Sequence, residues 1–299
     1  MKSGILPICK PEGISSAKVV HLVKKISHAK KTGHMGTLDP FATGLLLCGI
    51  DKGTRISKFF LNGSKRYKAK ICLGIETDTF DCTGSVVQKI ESLDHISQEE
   101  IFEIIDKFKG KQMQEPPAYS ALKHKGKPLY KYAREGEKII KPAREIEIFE
   151  ISIEKIDFPF VEIDVLCSAG TYIRTIAYDM GRKLGCGAHL SNLCRTQSSA
   201  FKLEDAIPLD VLETLDQTTA EQRIIGLSDC LEFMPEIVAD NRIAKKIKFG
   251  QTLLTRDLEP PLIKSDQSIK VIDHHNDLLA IIQLSENRKA YKYSCVFSS

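Results

Sequence analysis

The chain has 299 residues, of which 42% are hydrophobic and 27% are charged, and its formal net charge at pH 7 is +4. This composition is that of an ordinary globular protein, and the length fits one large domain or a large domain with an appendage. The net charge is too small to indicate a nucleic-acid partner by itself, so its distribution matters more.

Nine cysteines are scattered along the chain without a CxxC pair, and no histidines cluster with them at zinc-ligand spacing. This pattern is typical of small buried thiols in a reducing compartment. The amino-terminal apolar run is too short for a signal peptide, and no later segment approaches the ~18 apolar residues that a membrane helix needs. We therefore expect a cytoplasmic protein that does not associate with membranes.

The first half of the chain opens with a predicted strand, "GILPIC", and then a helix over "SSAKVVHLVKKI" that Ser15 or Ser16 caps. Strand-like runs follow at 44–50, 66–74 and 84–90. The next helix is predicted over "SQEEIFEIIDKFKG", because Ser97 and Glu100 form a capping box and Gly110 supplies the stop.

The second half continues with "REIEIFEISIEKI", whose alternation is typical of a half-buried strand, and with "FVEIDVLCS", which we expect to pair with it antiparallel. A helix is predicted over 173–184. Strands outnumber helices and lack a regular βαβ rhythm, which favours an α+β fold with a mixed, largely antiparallel central sheet. The character of the sequence changes near residue 235. We therefore predict a large domain over 1–235 and a small β-rich appendage over 236–299.

Positive charge is concentrated in three places. The segment 52–70 carries seven Lys or Arg and no acid, and the segment 123–144 carries eight against two acids; both contain aromatic residues. A C-terminal cluster consists of Arg242, Lys245, Lys246 and Lys248. One such run is typical of a solvated face, but three of them, two with aromatic residues, predict a surface that follows an RNA backbone while rings meet unstacked bases.

Asp39 stands out in "KTGHMGTLDPFATGLLLCGI", where it precedes a proline in a turn. An aspartate in that setting commonly bonds nearby backbone N–H groups and is structural. An aspartyl-phosphate enzyme would need a metal and further carboxylates, and a glycosidase would need a paired acid, but no partner is obvious in the sequence. The local chemistry allows a single-carboxylate nucleophile and does not name the reaction.

Five motifs occur in a characteristic order and spacing: "KPEGISS" at 10–16, "GHMGTLDPFATG" at 33–44, "KRYKAKICLGIETDTFDCTG" at 65–84, "PPAYSALKHKGKPLYKYAREG" at 116–136 and "CSAGTYIRTIAYDMGRKLGCGAHLSNLCRT" at 167–196. Together they resemble the TruB family of tRNA pseudouridine synthases over roughly residues 4–203. The appendage resembles the family's short C-terminal domain, of the PUA-like kind, more weakly.

The resemblance implies a catalytic domain with a mixed central sheet and a cleft across it, followed by a small RNA-binding domain. The implied reaction detaches uracil from C1′, rotates it and reattaches it through C5, without a metal or a cofactor. The implied substrate is the uridine at position 55 in the T loop of elongator tRNA. The T-arm stem-loop would be the only partner required, and the protein would act as a monomer.

Three residues match the family's chemical groups. Asp39 matches the catalytic aspartate, a nucleophile toward C1′ of the ribose or C6 of the uracil, and the sequence leaves both routes open. Arg174 matches the arginine paired with it, so we expect a two-point hold that keeps the Asp39 pKa low. Tyr67 matches the ring that stacks on the target uracil, and its hydroxyl is a candidate for moving the C5 proton.

The remaining matches concern substrate binding. His34 matches the histidine that helps to pry the target nucleotide out of the loop, and Tyr172 and Leu193 match positions that line the uracil pocket. Lys10 and Arg55 lie in basic motifs and either hold phosphates or pack locally. The chain departs from the family at Met35, where threonine is usual, and at Cys194, where arginine is usual.

Two other functions compete with this hypothesis. An RNA-binding or RNA-folding module would use the same basic cleft without chemistry, and both activities are compatible with one protein. Such a module would not need Asp39, Tyr67 and Arg174 together. A nucleoside glycosidase is disfavoured because no second carboxylate is placed to activate water.

Overall fold

The computed structural model describes residues 2–137, 139–258 and 267–297. Its α-helices are α1 (Ser16–Ile26), α2 (Ser57–Leu61), α3 (Gln98–Asp106), α4 (Leu129–Arg134), α5 (Ile173–Lys183), α6 (Leu209–Thr214), α7 (Gln217–Gln222) and α8 (Asn241–Lys248). Its strands as far as the middle of the chain are β1 (Gly4–Lys10), β2 (Thr32–His34), β3 (Thr43–Ile50), β4 (Lys65–Leu73), β5 (Ile75–Thr77), β6 (Val86–Lys89), β7 (Gly110–Gln114), β8 (Lys123–His124), β9 (Lys127–Pro128) and β10 (Arg144–Asp157). The later strands are β11 (Phe160–Cys167), β12 (Ala188–Ser198), β13 (Phe201–Lys202), β14 (Ile207–Pro208), β15 (Ile225–Gly226), β16 (Glu236–Val238), β17 (Leu253–Leu254), β18 (Ser268–Ile272), β19 (Leu278–Leu284) and β20 (Ala290–Val296).

The central sheet runs in the order β14-β1-β3-β12-β4-β11-β10-β7, with β2, β13 and β15 attached beside this path. Only the pairs β1/β14 and β3/β12 in it are parallel, and β10 pairs antiparallel with β11 as expected. The prediction of a mixed, largely antiparallel α+β sheet is confirmed. Strands β4 and β12 lie at its centre, where their side chains reach the site described below.

Local signals place the helices to within a few residues. The Ser15 side chain accepts a hydrogen bond from the Lys18 N–H and caps α1. Ser97 and Glu100 form the predicted capping box of α3, with bonds of 3.1 and 2.9 Å. These contacts satisfy N–H groups that a helix start leaves unpaired, which is why short-range sequence predicts them.

The central sheet is covered on both faces. On one face Leu6 of β1 packs with Val19 of α1 and Ile176 of α5 in the largest apolar cluster. On the other face Ile5 packs in a second cluster with residues such as Ile281 of β19. Because successive side chains of a strand point to opposite faces, a strand covered on both sides is a continuous apolar run, as "GILPIC" is.

The C-terminal part of the chain forms a second sheet in the order β16-β18-β19-β20-β17. It has its own apolar cluster, in which Ile247 of α8 packs with strand residues such as Ile269. A β-rich C-terminal region is therefore present, and its first strand begins at Glu236. Among the described residues no helix is long and apolar enough to cross a membrane.

Candidate active site

Asp39 lies in the loop 35–42 between β2 and β3, and backbone contacts hold this loop in place. The Ser16 hydroxyl at the start of α1 accepts from the Leu38 N–H at 2.9 Å and donates to the Leu38 carbonyl at 2.8 Å. The Asp39 carbonyl accepts from the Ala42 N–H at 3.1 Å, which closes the turn. The loop is therefore fixed against α1 on one side of the predicted nucleophile.

Lys10 fixes the other side of the loop. Its fully buried ammonium donates to the Pro40 carbonyl at 3.1 Å and to the carbonyls of Pro11 and Ile14 at 2.7 and 2.8 Å. These three bonds use all three ammonium protons, which leaves none for a phosphate. Burial lowers the pKa of Lys10 to about 8. Of the two predicted roles of Lys10, the structure supports local packing.

Arg174, in the first turn of α5, reaches the predicted nucleophile as expected. Its Nε lies 3.0 Å from Oδ2 of Asp39, and its side chain is only 4% exposed. The hydrogen bonds of the guanidinium go elsewhere: NH1 donates to Asp81 Oδ2 and the Thr79 carbonyl, both at 3.1 Å, and NH2 donates to the Tyr119 carbonyl at 2.9 Å. Nε has no aligned acceptor. The expected two-point hold on Asp39 is therefore wrong, and the contact is a single ion pair.

The electrostatics of Asp39 also differ from the expectation. Burial raises the pKa of Asp39, and the lowering by Arg174 does not offset it; the nearby Asp81 carboxylate raises the pKa further. Although 35% of the Asp39 side chain is exposed, the residue lines a concave cleft, where the surrounding protein atoms reduce the solvation of the carboxylate. The expected low pKa is therefore wrong in direction, although the ion pair is present.

Asp81 is a second carboxylate that the sequence reasoning missed. It is buried, and its Oδ1 accepts hydrogen bonds from the Thr79 and Thr83 hydroxyls and from the Thr83 N–H while Oδ2 takes Arg174. A second carboxylate therefore lies near Asp39 in space, although none is obvious in the sequence. Asp81 nevertheless does not line the cleft described below, so it is not placed to activate a water there. Its contacts fit a role in holding Arg174.

Tyr67 is in the middle of the central sheet, on β4 between Val165 of β11 and Arg195 of β12. Its ring packs against the largest apolar cluster. Burial raises the pKa of Tyr67, an effect that the Arg195 guanidinium partly offsets. The hydroxyl is therefore protonated at neutral pH and available as a donor.

One cleft of about 380 Å³ brings most of the predicted residues together. It is lined by all three predicted chemical groups and both predicted pocket residues: Asp39, Tyr67, Arg174, Tyr172 and Leu193. Its wall also contains Lys65, Arg144 and Arg195, which sequence reasoning missed although all but Arg144 lie within the quoted motifs. A larger cavity of about 800 Å³ lies beside the small sheet and contains none of these residues, so size does not identify the site.

The chain is similar to known proteins along most of its length. Residues 24–173 match the family model of the TruB family pseudouridylate synthase N-terminal domain, and residues 174–238 match that of the tRNA pseudouridylate synthase B C-terminal domain. The chain is 42% identical to tRNA pseudouridine synthase B of Clostridium acetobutylicum, over 95% of this chain and 96% of that protein. It is 41% identical to tRNA pseudouridine synthase B of Thermotoga maritima, over 96% of this chain and 92% of that protein.

This chain belongs to the TruB family. It is therefore a pseudouridine synthase, and the predicted family resemblance and enzyme class are confirmed. Two solved structures share the fold: a Cbf5-Nop10-Gar1 complex, with a TM-score of 0.74 and 24% identity over 98% of this chain and 84% of that chain, and an H/ACA RNP bound to a substrate RNA containing 2'-deoxyuridine, with a TM-score of 0.75 and 23% identity over 99% and 85%. At these identities the likeness concerns the fold alone.

His34 is the one predicted site residue of this TruB-family chain that is outside the described lining of the cleft. It ends β2, and its Nδ1 is buried without a hydrogen-bond partner. Burial and the nearby Arg195 charge lower the pKa of His34, so its imidazole is neutral at pH 7. Its role in extracting the target nucleotide stays a prediction.

The two departures from the TruB-family pattern fall in different environments. Met35 is fully buried in the second apolar cluster and lies close to Gly49, where a side chain on the glycine would meet its Cε at 3.0 Å. An apolar residue therefore suits this position. Cys194 is half-buried on β12 opposite Thr43 of β3. Because this chain has cysteine where arginine is usual, it lacks a positive charge at this position of β12.

The cations in the basic runs of this TruB-family chain are not equally available to RNA. In 52–70, the buried Lys65 donates hydrogen bonds to the carbonyls of Phe60, Leu61 and Gly63. Arg66 forms ion pairs with Asp164 and Glu150. Lys52 donates to a backbone carbonyl, and Arg55 lies over the Phe297 ring. In 123–144, Lys123 and Lys125 are exposed. Each run therefore combines cations that are engaged within the protein with exposed ones, which in the first run are Lys58 and Lys68.

Proposed function

We propose that this enzyme converts uridine to pseudouridine at position 55 in the T loop of elongator tRNA, with Asp39 as the nucleophile. The observation that carries the proposal is the single cleft that joins Asp39, Tyr67 and Arg174. The relatives named tRNA pseudouridine synthase B support tRNA as the substrate. The exposed cations of 123–144 support binding of a folded RNA.

The reaction needs a nucleophile, a fixed base and an acceptor for one proton. Asp39 attacks C1′ of the ribose or C6 of the uracil, the C1′–N1 bond breaks, and the freed base rotates. A C1′–C5 bond then forms and the bond to Asp39 breaks, which frees the carboxylate. C5 loses its proton and N1 gains one, so no atom is gained or lost overall. Arg174, anchored on Asp81 and two carbonyls, holds the attacking carboxylate ionised and in place.

The walls of the cleft suit a flipped uracil. Tyr67 offers its ring for stacking, and Leu193 and Tyr172 supply apolar and aromatic surface. Arg144 lies 4.9 Å from the centre of the Tyr172 ring, which fixes that ring in the wall. A base paired or stacked inside the T loop cannot present C1′ or C6 to Asp39, so the nucleotide must leave the stack, and His34 is the proposed residue that assists it.

We also propose that the chain divides into a catalytic domain over 1–235 and an RNA-binding appendage over 236–299, acting as a monomer. Lys245 and Lys248 of the appendage line the 800 Å³ cavity together with Lys2 and Lys52 of the large domain. Lys52 donates to the Phe297 carbonyl, and three carboxylates also line this cavity. The exposed Lys245 and Lys248 of α8 are therefore the cations that support a contact with an RNA backbone outside the T loop.

The test is incubation with an unmodified T-arm stem-loop, followed by mapping of pseudouridine, for the wild type and Asp39→Asn. The amide keeps the shape of the side chain but removes the nucleophile, so we expect no product and stem-loop binding within about threefold of wild type, because affinity comes from the basic surface. Turnover by Asp39→Asn at the wild-type rate would exclude Asp39 as the nucleophile. Binding and refolding of the stem-loop by the wild type without product would favour the RNA-folding alternative.

A further inference from the structure

Arg195 is among the largest fully buried side chains of the protein. It lies on β12, is 1% exposed, and has no acidic partner within ion-pair distance among the described residues. A buried guanidinium without a carboxylate is costly unless several oxygen acceptors surround it. The position of those acceptors therefore indicates what Arg195 does.

Three backbone carbonyls accept from Arg195, and two of them belong to the loop that carries Asp39. Nε donates to Leu45 on β3 at 2.7 Å, NH2 donates to Gly36 at 3.0 Å, and NH1 is 3.4 Å from the Thr37 carbonyl. Gly36 and Thr37 precede Asp39 by three and two residues. Arg195 thus ties both the loop and the strand that follows it to β12.

The backbone of β3 approaches the backbone of Arg195 closely at Gly44. Gly44 has a φ of +99°, and a Cβ placed there would come within 2.4 Å of the Arg195 carbonyl oxygen. Gly36 has a φ of +120°, and a Cβ there would lie 3.5 Å from Arg195 NH1. Gly44 therefore allows β3 to lie against the backbone of β12, and the positive φ of both residues is a conformation that glycine adopts without strain.

The same arginine faces Tyr67. Arg195 and Tyr67 are directly opposite each other on the antiparallel strands β12 and β4, so their side chains share one face of the sheet. Both residues line the cleft. Arg195 thus contacts the Asp39 loop and also lies beside Tyr67, because β12 and β4 are neighbouring strands.

We propose that Arg195 is a positioning residue that fixes the Asp39 loop relative to Tyr67, so that nucleophile and stacking ring address the same base. The inference rests on the proposed function. Because the side chain is buried and three of its five N–H groups are used on carbonyls, its contribution is to hold the loop and not to bind an exposed phosphate. A catalytic group misplaced by a fraction of an ångström loses rate without losing substrate affinity.

The test compares Arg195→Lys and Arg195→Met with the wild type, and Lys155→Met serves as a control that removes a cation paired on the exposed β10/β11 hairpin. An ammonium on a flexible stem cannot span three carbonyls in a plane. We expect Arg195→Lys to lower the single-turnover rate constant about a hundredfold, while the affinity for the stem-loop stays within about threefold of wild type. Amide hydrogen exchange should increase in a peptide covering 35–42 and stay unchanged in the β10/β11 hairpin.

Two results would overturn the inference. One is a single-turnover rate constant within about twofold of wild type in both Arg195→Lys and Arg195→Met, since misplacement costs far more. The other is faster exchange throughout the central sheet, which marks general destabilisation. Arg195→Met removes every hydrogen bond of the side chain, so it tests the inference even where a lysine can replace some of them. It should also increase amide hydrogen exchange in 35–42. If the wild type itself makes no pseudouridine on the stem-loop, the proposed function fails, whereas the exchange measurement still reports on the Arg195 contacts.

Discussion

Asp39 combines two opposing influences on a single carboxylate. Burial in the cleft and the Asp81 charge raise its pKa, while Arg174 at 3.0 Å lowers it. A nucleophile must be ionised, so the arginine is needed to limit a shift that burial makes unavoidable. A cleft that encloses the target uracil also removes water from Asp39, and this desolvation raises the pKa of the carboxylate.

The pH dependence of turnover follows from this balance. Ionised Asp39 is the reactive form, so the rate should fall as the pH drops through its pKa, which lies above the ordinary value for aspartate. Arg174→Gln removes the main lowering influence and should move this acidic limb to higher pH. The position of the limb is measured from single-turnover rates, within the pH range in which circular dichroism shows that the protein is folded. An unmoved limb would mean that Arg174 does not set the ionisation of Asp39.

Tyr67 offers two separable contributions, a ring and a hydroxyl. Tyr67→Phe keeps a ring that stacks on uracil, worth about 1–3 kcal/mol, and Tyr67→Ala loses both. If the hydroxyl relays the C5 proton, Phe should bind the stem-loop and cleave the C1′–N1 bond but stall before product, so that a rearranged adduct accumulates. We expect this outcome, because C5 must lose a proton and the Tyr67 hydroxyl, which lines the cleft, can accept one proton while it donates its own. Full single-turnover activity of the Phe variant would leave Tyr67 a stacking surface only.

At the scale of elements, the turn between β5 and β6 holds the arginine of α5. The turn docks on β12 through the Leu190 N–H to the Phe80 carbonyl at 2.9 Å and the Cys82 N–H to the Leu190 carbonyl at 3.0 Å. Phe80 has a φ of +64° and stacks on Tyr178 of α5 with ring centres 4.0 Å apart. A non-glycine residue in this conformation persists only where the surroundings determine it. The docked turn thereby presents Asp81 to Arg174.

Asp81→Asn tests this coupling between elements. The amide can still accept from Thr83, but it loses the charge that anchors Arg174, so we expect kcat to fall about tenfold or more. Removal of the Asp81 charge also lowers the pKa of Asp39, so the acidic limb should move to lower pH. This shift is opposite to that of Arg174→Gln, and the two profiles measured side by side distinguish the roles. A kcat equal to wild type would show that Arg174 needs no anchor.

For the whole molecule, the surface available to RNA is set by which cations are free. The net charge is only +4, and in 52–70 at least Lys52, Lys65 and Arg66 are engaged within the protein. The exposed lysines of 123–144 and of α8, together with Lys58 and Lys68, are therefore the ones expected to meet phosphates. Counting basic residues in a run overestimates the RNA surface, because long side chains also satisfy buried carbonyls.

Binding of the stem-loop should therefore weaken steeply with salt, as displaced counterions require. The double substitution Lys123→Gln and Lys125→Gln should lower the log–log slope by about 1–2, at roughly 0.7–0.9 per phosphate contact. Lys155→Gln, on the distal hairpin, should leave the slope unchanged. The slope is measured from equilibrium binding at several salt concentrations, with the magnesium concentration held constant so that the RNA stays folded. A flat titration of the wild type would contradict the proposed RNA surface.

The sequence by itself determined the elements and most of the site. Caps such as Ser97 with Glu100 act over three residues, and apolar periodicity acts within one strand or helix, so both can be read locally. The motifs around Asp39, Tyr67 and Arg174 also identified the residues that share the cleft.

Only the tertiary structure decided how those residues are tuned. Asp81 and Arg174 are 93 residues apart in sequence, and no local pattern predicts that they bond. The direction of the Asp39 pKa, the burial of Lys10, Lys65 and Arg195, and the position of His34 outside the cleft lining all depend on which distant strands pack around them. The physical reason is that desolvation and charge pairing are set by three-dimensional surroundings, whereas a motif records only the type of side chain and its place along the chain.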